Sequence, residues 1–390
     1  MLVHVLREYN VNKILLSHLG LWPYQNKFVR NVLPILYLVI LMTIVLLQVL
    51  ALCDRWGNIQ EVFEICHHIV TVMIFVVKLF NEFWNHDKIR YLYEAMENHW
   101  NVFTSEIEIR ILKDYSMLTR KCIITYSIIT YVSTVLFLMV PFKPILLDII
   151  RPLNESRPRI FVISEIEWGM DKDKYFVLIF CYTTSVIVMG ATIFVAVDSI
   201  YITRTVHACS LFSIISQQLE KVTSKLGIDK LSEQVTYQEY VICLKKYQLA
   251  LEFVNVMNSM YGTVALIMPL VTGAVISLVG VRMVVYGLNQ LEQVMRFGLS
   301  IIGMLMHFLI LCYSGQKLMD ESQNVFYRAY AAKWYTFSPR LKSLLIITLY
   351  RSFKPCGLTA GNIFSLSMAT YAAVIRIGIS YFMTFLSLKD

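Results

Sequence analysis

The stretch with the most chemical character lies near the end of the chain, where AAVIRIGISYFMTFLSL (residues 372–388) places Arg376, Ser380, Thr384 and Ser387 in an apolar run. On a helix at 100° per residue, with Arg376 at 0°, Met383 falls at about −20°, Ser387 at about 20°, Ser380 at about 40° and Thr384 at about 80°. The polar groups share one stripe, and Ile375, Ile379, Phe382, Phe385 and Leu386 take the remaining arc. A charge in hydrocarbon costs at least ~2.5 kcal/mol, so the stripe faces other helices or water. Two readings follow. Intramembrane polar residues mark an ion or substrate path. Equally, Ser380 and Thr384 bond neighbouring helices while Arg376 pairs with a carboxylate such as Asp198.

No constellation supports catalysis. The chain lacks H-E-x-x-H, G-x-x-x-x-G-K-[ST] and G-x-S-x-G, and has no intramembrane carboxylate pair set for acid–base work. His67 and His68 diverge by about 100° on a helix, which suits packing or a pocket wall better than joint ligation of a metal. Of the eight cysteines only Cys53 lies near the outer face, and none forms a C-x-x-C pair, so no disulfide framework is expected. The chain reads as a non-enzyme with no cofactor, metal or nucleic-acid partner.

The elements that position the stripe follow from composition. Hydrophobic residues make up 57%, charged residues 16% and aromatics 13%, with mean hydropathy +0.59, the profile of a polytopic all-α membrane protein. Apolar runs cover Val32–Leu52, Val62–Phe80, Cys122–Val140, Tyr175–Val197, Tyr261–Val281, Phe297–Tyr313 and Phe364–Leu388, seven spans in all, each near the ~20 residues a helix needs to cross a bilayer. With the N-terminus inside, inner segments hold 24 Lys and Arg and outer segments 10. The charge bias therefore predicts a cytoplasmic N-terminus and an extracellular C-terminus. Residues 1–31 form a cytoplasmic segment without the pattern of a cleaved signal peptide, and the first span serves as its own insertion signal. The single sequon, Asn154-Glu155-Ser156, falls in an outer loop, where glycosylation of Asn154 is possible.

The inner segments 81–121, 202–256 and 316–362 are too long for turns and carry helical periodicity. In LFSIISQQLEKVTSKL, for example, Leu211, Ile214, Ile215, Leu219 and Val222 recur on one face. They read as spans extended into the cytoplasm as a helical layer, the alternative being amphipathic helices lying on the membrane surface. A transporter repeat is not evident, although Pro269 and Gly378 would each permit a local helix break. A G-protein-coupled receptor has the opposite orientation. Its N-P-x-x-Y is absent here, and the only D-R-Y-like tripeptide, Asp54-Arg55-Trp56, follows span one.

The C-terminal third resembles the insect odorant receptor family. The residues that carry the likeness are Tyr330, Lys333-Trp334-Tyr335, Arg340, RSFKP (351–355), LTAGNIFSLSMATY (358–371) and Ser380-Tyr381-Phe382. Weaker similarity runs through GLWP (20–23) and Asp198 to Leu219, with His207 and Cys209. Gustatory receptors resemble T-Y-x5-Q-F in the last span, but here Ile377-Gly378 follows Thr370-Tyr371 at the Q-F position. The obligate co-receptor has a longer second inner loop than 202–256, so the likeness is to a ligand-tuned subunit.

That resemblance implies an odorant-gated, non-selective cation channel in the plasma membrane of olfactory sensory neurons, built as a heterotetramer with the odorant receptor co-receptor. Span seven (363–390) would line its pore through Ser380, Thr384, Ser387 and Leu388, with Arg376 in the wider inner part or against a neighbour. Residues 316–362 would be an intracellular anchor region. Spans one to six (32–315) would hold a small volatile hydrophobic ligand in their outer half, among Phe75, Tyr131, Thr134, Leu138, Phe180, Tyr182, Thr184, Ile187 and Met304. Competing readings are a heptahelical receptor coupled to a G protein and a gustatory-type receptor channel.

Overall fold

The computed structural model describes residues 3–150, 157, 159, 161, 174–224, 230–285, 291–361 and 363–387. The helices are α1 (Val3–Glu8), α2 (Asn10–Leu19), α3 (Lys27–Asp54), α4 (Ile59–Trp84), α5 (His86–Val102), α6 (Glu106–Leu138), α7 (Lys143–Ile150), α8 (Phe176–Ser224), α9 (Lys230–Val285), α10 (Leu291–Tyr330), α11 (Pro339–Ser352) and α12 (Met368–Ser387). A two-stranded antiparallel ribbon, β1 (Thr359–Ala360) with β2 (Phe364–Ser365), precedes α12.

Among the described residues six helices are long and apolar enough to cross a membrane, namely α3, α4, α6, α8, α9 and α10, and the 20-residue α12 is the seventh of the bundle. Each expected span is present, and most run well past their expected ends. At 1.5 Å per residue, α8 (49 residues), α9 (56) and α10 (40) far exceed a ~30 Å hydrocarbon core. Their surplus forms a packed helical layer at one end of the bundle. There Leu211, Ile214, Ile215, Leu219 and Val222 are buried, Phe212 meets Tyr247 with ring centroids 6.1 Å apart, and the Cys243 thiol reaches the Ile215 carbonyl.

The seventh span begins later than expected. Phe364 and Ser365 pair with Ala360 and Thr359, and the helix starts at Met368. Gly361, at φ +56°, turns the ribbon, and its N–H donates to the Gly262 carbonyl at 2.9 Å. No break follows Pro269 or Gly378, since α9 and α12 run continuously through them.

The N-terminal segment is docked into the same layer. Glu97 of α5 accepts from the backbone N–H groups of Val3, His4 and Val5 at 3.0, 3.1 and 2.9 Å, satisfying donors that a helix start leaves free. Asn12 of α2 donates to Thr203 of α8. Gly20 ends α2 at φ +72°, and a Cβ there would lie 2.9 Å from Pro34 Cδ. That turn sends Trp22 against Tyr93, 5.0 Å between centroids, which accounts for the GLWP stretch.

Candidate functional site

The site elements converge on α8, which packs against α6 on one side and α10 on another. Within its N-terminal half, Phe180, Thr184 and Ile187 share one face by helical spacing and are half-buried. Phe180 meets Phe142 and Phe176 with centroids 5.2 and 6.3 Å apart. The Thr184 hydroxyl is buried and, among the described residues, has no hydrogen-bond partner. Phe75 of α4 lies edge-on to Phe194 at 5.0 Å and rests on Gly190, where a Cβ would sit 2.4 Å from its ring. From α6, Tyr131 reaches Thr192 at 3.4 Å, Thr134 bonds the Thr130 carbonyl of its own helix, and Leu138 packs on the core. Met304 of α10 is buried in the same core. Tyr182 stands apart, because it points from the opposite face of α8 to Thr43 of α3 at 2.7 Å. Of the nine expected ligand residues, Phe75 lies on α4, Tyr131, Thr134 and Leu138 on α6, Phe180, Tyr182, Thr184 and Ile187 on α8 and Met304 on α10.

Deeper along α8 lies a buried ionic layer that the sequence reading missed. Asp198 receives Lys78 of α4 and the Tyr126 hydroxyl of α6 at 2.7 Å, and His307 Nδ1 of α10 lies 2.9 Å from it. The Lys78 ammonium also sits 4.4 Å from the Phe194 ring centroid. A turn further, Glu82 and Arg204 approach to 3.8 Å, and Arg204 donates to the Tyr261 hydroxyl at 2.6 Å. Beside the first pair a small cavity of about 30 Å³ is lined by Lys78, Asn81, Asp198, Tyr201 and Tyr261 among others.

This layer corrects two expectations. Asp198 is not the partner of Arg376. Lys78 and Arg204, counted among loop charges, are buried inside the bundle at 2% and 0% exposure. Removing both leaves the inner excess of positive charge standing. The signal was present, since Lys78, Asp198 and His307 each interrupt or abut an apolar run, and intramembrane charges seek one another.

Outside the spans a second polar cluster joins the layers. His99 Nδ1 of α5 lies 3.1 Å from His207 Nε2 of α8, and the Tyr9 hydroxyl lies 3.4 Å from His207 Nδ1. Burial pushes the His99 imidazole down to about 4. His67 Nε2 meets Ser300 at 3.2 Å and its ring tilts against His68 with centroids 5.5 Å apart.

The packing of α12 decides where its stripe points. Val374 seats against Gly273 of α9, Ile276 against Gly378, and Phe382 against Gly280, where a Cβ would come within 2.7 Å of the ring. With Arg376 at 0°, this packed arc (Tyr371, Val374, Ile375, Gly378, Phe382) centres near about −140° and the polar stripe near about 40°. Arg376, Ser380, Thr384 and Ser387 are exposed on the opposite side of the helix. Thr384 and Ser387 bond carbonyls of their own helix, at 3.0 and 2.9 Å. Leu388 and Asn154 lie outside the described residues.

A family model described as 7tm Odorant receptor matches residues 58–378. Odorant receptor 22a of Drosophila melanogaster is 23% identical over 199 residues, 49% of this chain and 49% of that protein. Odorant receptor 67a of the same species is 33% identical over 131 residues, 34% of this chain and 31% of that protein. The odorant receptor coreceptor of Aedes aegypti is 24% identical over 167 residues, 42% of this chain and 34% of that protein. The matched stretches thus span about a third to a half of these relatives. The structure of the insect olfactory receptor OR5 from Machilis hrabei in complex with eugenol superimposes with TM-score 0.83 at 12% identity, covering 99% of each chain, so the two share a fold.

Proposed function

Because the chain belongs to the 7tm odorant receptor family, a family of receptors rather than enzymes, we propose that it is a ligand-tuned subunit of an odorant-gated, non-selective cation channel. Its partner is the odorant receptor co-receptor, and the pore between subunits is lined by α12. The observation that carries this reading is the geometry of that helix. Its apolar arc is spent on α9, and the opposite, exposed face presents Arg376, Ser380, Thr384 and Ser387. A polar face turned away from its own bundle at membrane depth requires water or another subunit.

Assembly has independent support. In the helical layer beyond the spans, Tyr335, Tyr350, Phe353 and Ile363 are 66%, 87%, 75% and 73% exposed, an apolar surface that calls for a covering partner. The charge bias supports a cytoplasmic location for this layer and for the N-terminus, and an outer location for Asn154 and its sequon.

The ligand is a small, largely apolar volatile held in the outward half between α4, α6, α8 and α10, as aromatic and aliphatic side chains dominate there. The orphaned Thr184 hydroxyl gives an oxygenated ligand one directional bond, in keeping with the eugenol bound by the fold neighbour. Binding opens the pore by the difference in affinity between closed and open states. The membrane is that of olfactory sensory neurons.

The test is current in excised patches, with no GTP supplied, from cells expressing this chain with and without the co-receptor. The stimulus is a panel of volatile alcohols, esters, ketones and phenols, eugenol among them. Evoked current that needs both chains supports the reading. A response that appears only when nucleotide is restored identifies a receptor coupled to a soluble transducer instead.

A further inference from the structure

We infer that Arg376 acts as an electrostatic filter in the inner half of the conduction path, holding down entry of divalent cations relative to monovalent ones; this rests on the reading of α12 as pore-lining. The 20 residues of α12 span about 30 Å, the thickness of the hydrocarbon core. Arg376 stands about 12 Å from the Met368 end and about 16 Å from Ser387, too deep for its guanidinium to snorkel to either headgroup layer.

Direction comes next. Arg376 lies across the helix from the arc seated on α9, it is exposed, and among the described residues it makes no hydrogen bond or ion pair. The carboxylate of Asp198, deep in the bundle, is occupied by Lys78, Tyr126 and His307. On its own face the neighbours of Arg376 toward the start of α12 are Ala369, Ala372 and Ala373, all exposed, and those one turn on are Ile379 and Ser380. Small neighbours leave room for water beside the guanidinium, whereas Met383, Thr384 and Ser387 crowd the other half of the same face. A fixed positive charge bathed in water at mid-membrane depth has one chemical consequence for passing cations, repulsion that scales with their valence.

The magnitude follows from Coulomb's law. At about 6 Å in water a unit charge changes the local occupancy of a monovalent cation about threefold and of a divalent cation about tenfold. Removing the charge therefore raises the calcium-to-sodium permeability ratio about threefold.

The experiment measures reversal potentials under bi-ionic sodium and calcium, in channels formed with the co-receptor and opened by the most effective member of the volatile panel. Arg376→Gln is expected to raise the ratio about threefold, and Arg376→Lys to leave it unchanged. In Arg376→Cys, a cationic thiol reagent returns the ratio toward that of the unsubstituted channel and an anionic reagent raises it further. The unsubstituted channel treated alike controls for Cys53, Cys122 and Cys181, which are exposed.

An unchanged ratio in Arg376→Gln, or reagent effects on Arg376→Cys that ignore the sign of charge, overturns the inference. Failure of Gln and Cys variants to reach the surface while Lys does so also overturns it, since the charge would then be pairing with a neighbouring subunit. Thiol modification of Ser387→Cys separates the two levels. If it alters current while Arg376 is silent, the pore reading survives and the filter does not. If Ser387→Cys is silent as well, both fall.

Discussion

Replacing Lys78 by Met tests the buried ionic layer, because it removes one partner of Asp198 and leaves the other in place. The two side chains are 2% and 1% exposed, so water cannot replace the lost ammonium. Asp198 keeps the Tyr126 hydroxyl at 2.7 Å and His307 at 2.9 Å, which softens the loss without neutralising the carboxylate by a full charge. Breaking a buried pair in this way costs about 3–5 kcal/mol, a large fraction of the 5–15 kcal/mol roughly typical of folded proteins. The double variant Lys78→Met with Asp198→Leu removes both charges and fills the volume with apolar atoms. It should recover at least half of the loss, the remainder being the unpaired Tyr126 hydroxyl at about 1–3 kcal/mol. The assay is thermal unfolding of detergent-solubilised protein alongside surface level in cells. The single variant is expected to lower the midpoint on the order of 5–10 °C, and the double to lie between it and the parent. A single variant within about 1 °C of the parent, or a double that is the plain sum of both singles, would refute the view that these charges hold one another.

The remaining predictions concern packing, pH and ligand. Gly280→Val puts side-chain atoms into the space of Phe382, already 2.7 Å from a Cβ at that position; overpacking of about 1–3 kcal/mol should appear as a lowered midpoint and as altered basal current. His99 is held neutral by burial, with its folded value at about 4 against 6.5. Its stabilising contribution is therefore complete above pH 6.5 and is lost as pH falls toward 4, at up to about 1.4 kcal/mol per pH unit. Unfolding midpoints at pH 7.5 and 5.0 should consequently differ less in His99→Gln than in the parent. Thr184→Val removes an orphaned hydroxyl; thermal stability should hold or rise slightly, while potency falls several-fold for oxygenated agonists and not for hydrocarbon ones of similar size.

The seven helices were legible because a spanning helix must present about 20 apolar residues whatever its neighbours are. The stripe on α12 was legible for a similar reason, as periodicity alone puts Arg376, Ser380 and Ser387 on one face. Which way that face points was not, because it depends on Gly273, Gly280 and Gly378, whose missing side chains admit the opposing helix and carry no hydropathy signal. The ionic layer was hidden by a boundary. Ending span two at Phe80 placed Lys78 near its edge, whereas α4 continues to Trp84 and buries it. Tyr182, two residues from Phe180 and so about 200° around the helix, bonds Thr43 of α3, a direction that the resemblance alone did not give. Phe364 extends an apolar run yet is drawn out of the helix by its pairing with Ala360. The docking of α1 and α2 through Glu97 and Asn12 joins residues far apart in the chain, which no local pattern reports.

The most direct test of the account is a cysteine scan along α12 from Ala369 to Ser387, read as modification by a small water-soluble thiol reagent applied to open channels formed with the co-receptor. Reactivity should recur with helical period, high at Arg376, Ser380, Thr384 and Ser387 and low at Val374, Gly378 and Phe382, which face α9, and at Tyr371, which packs on Phe308 of α10. Reactivity that is uniform along the helix, or that peaks on the α9-facing positions, would contradict a conduction path along the polar face of this helix.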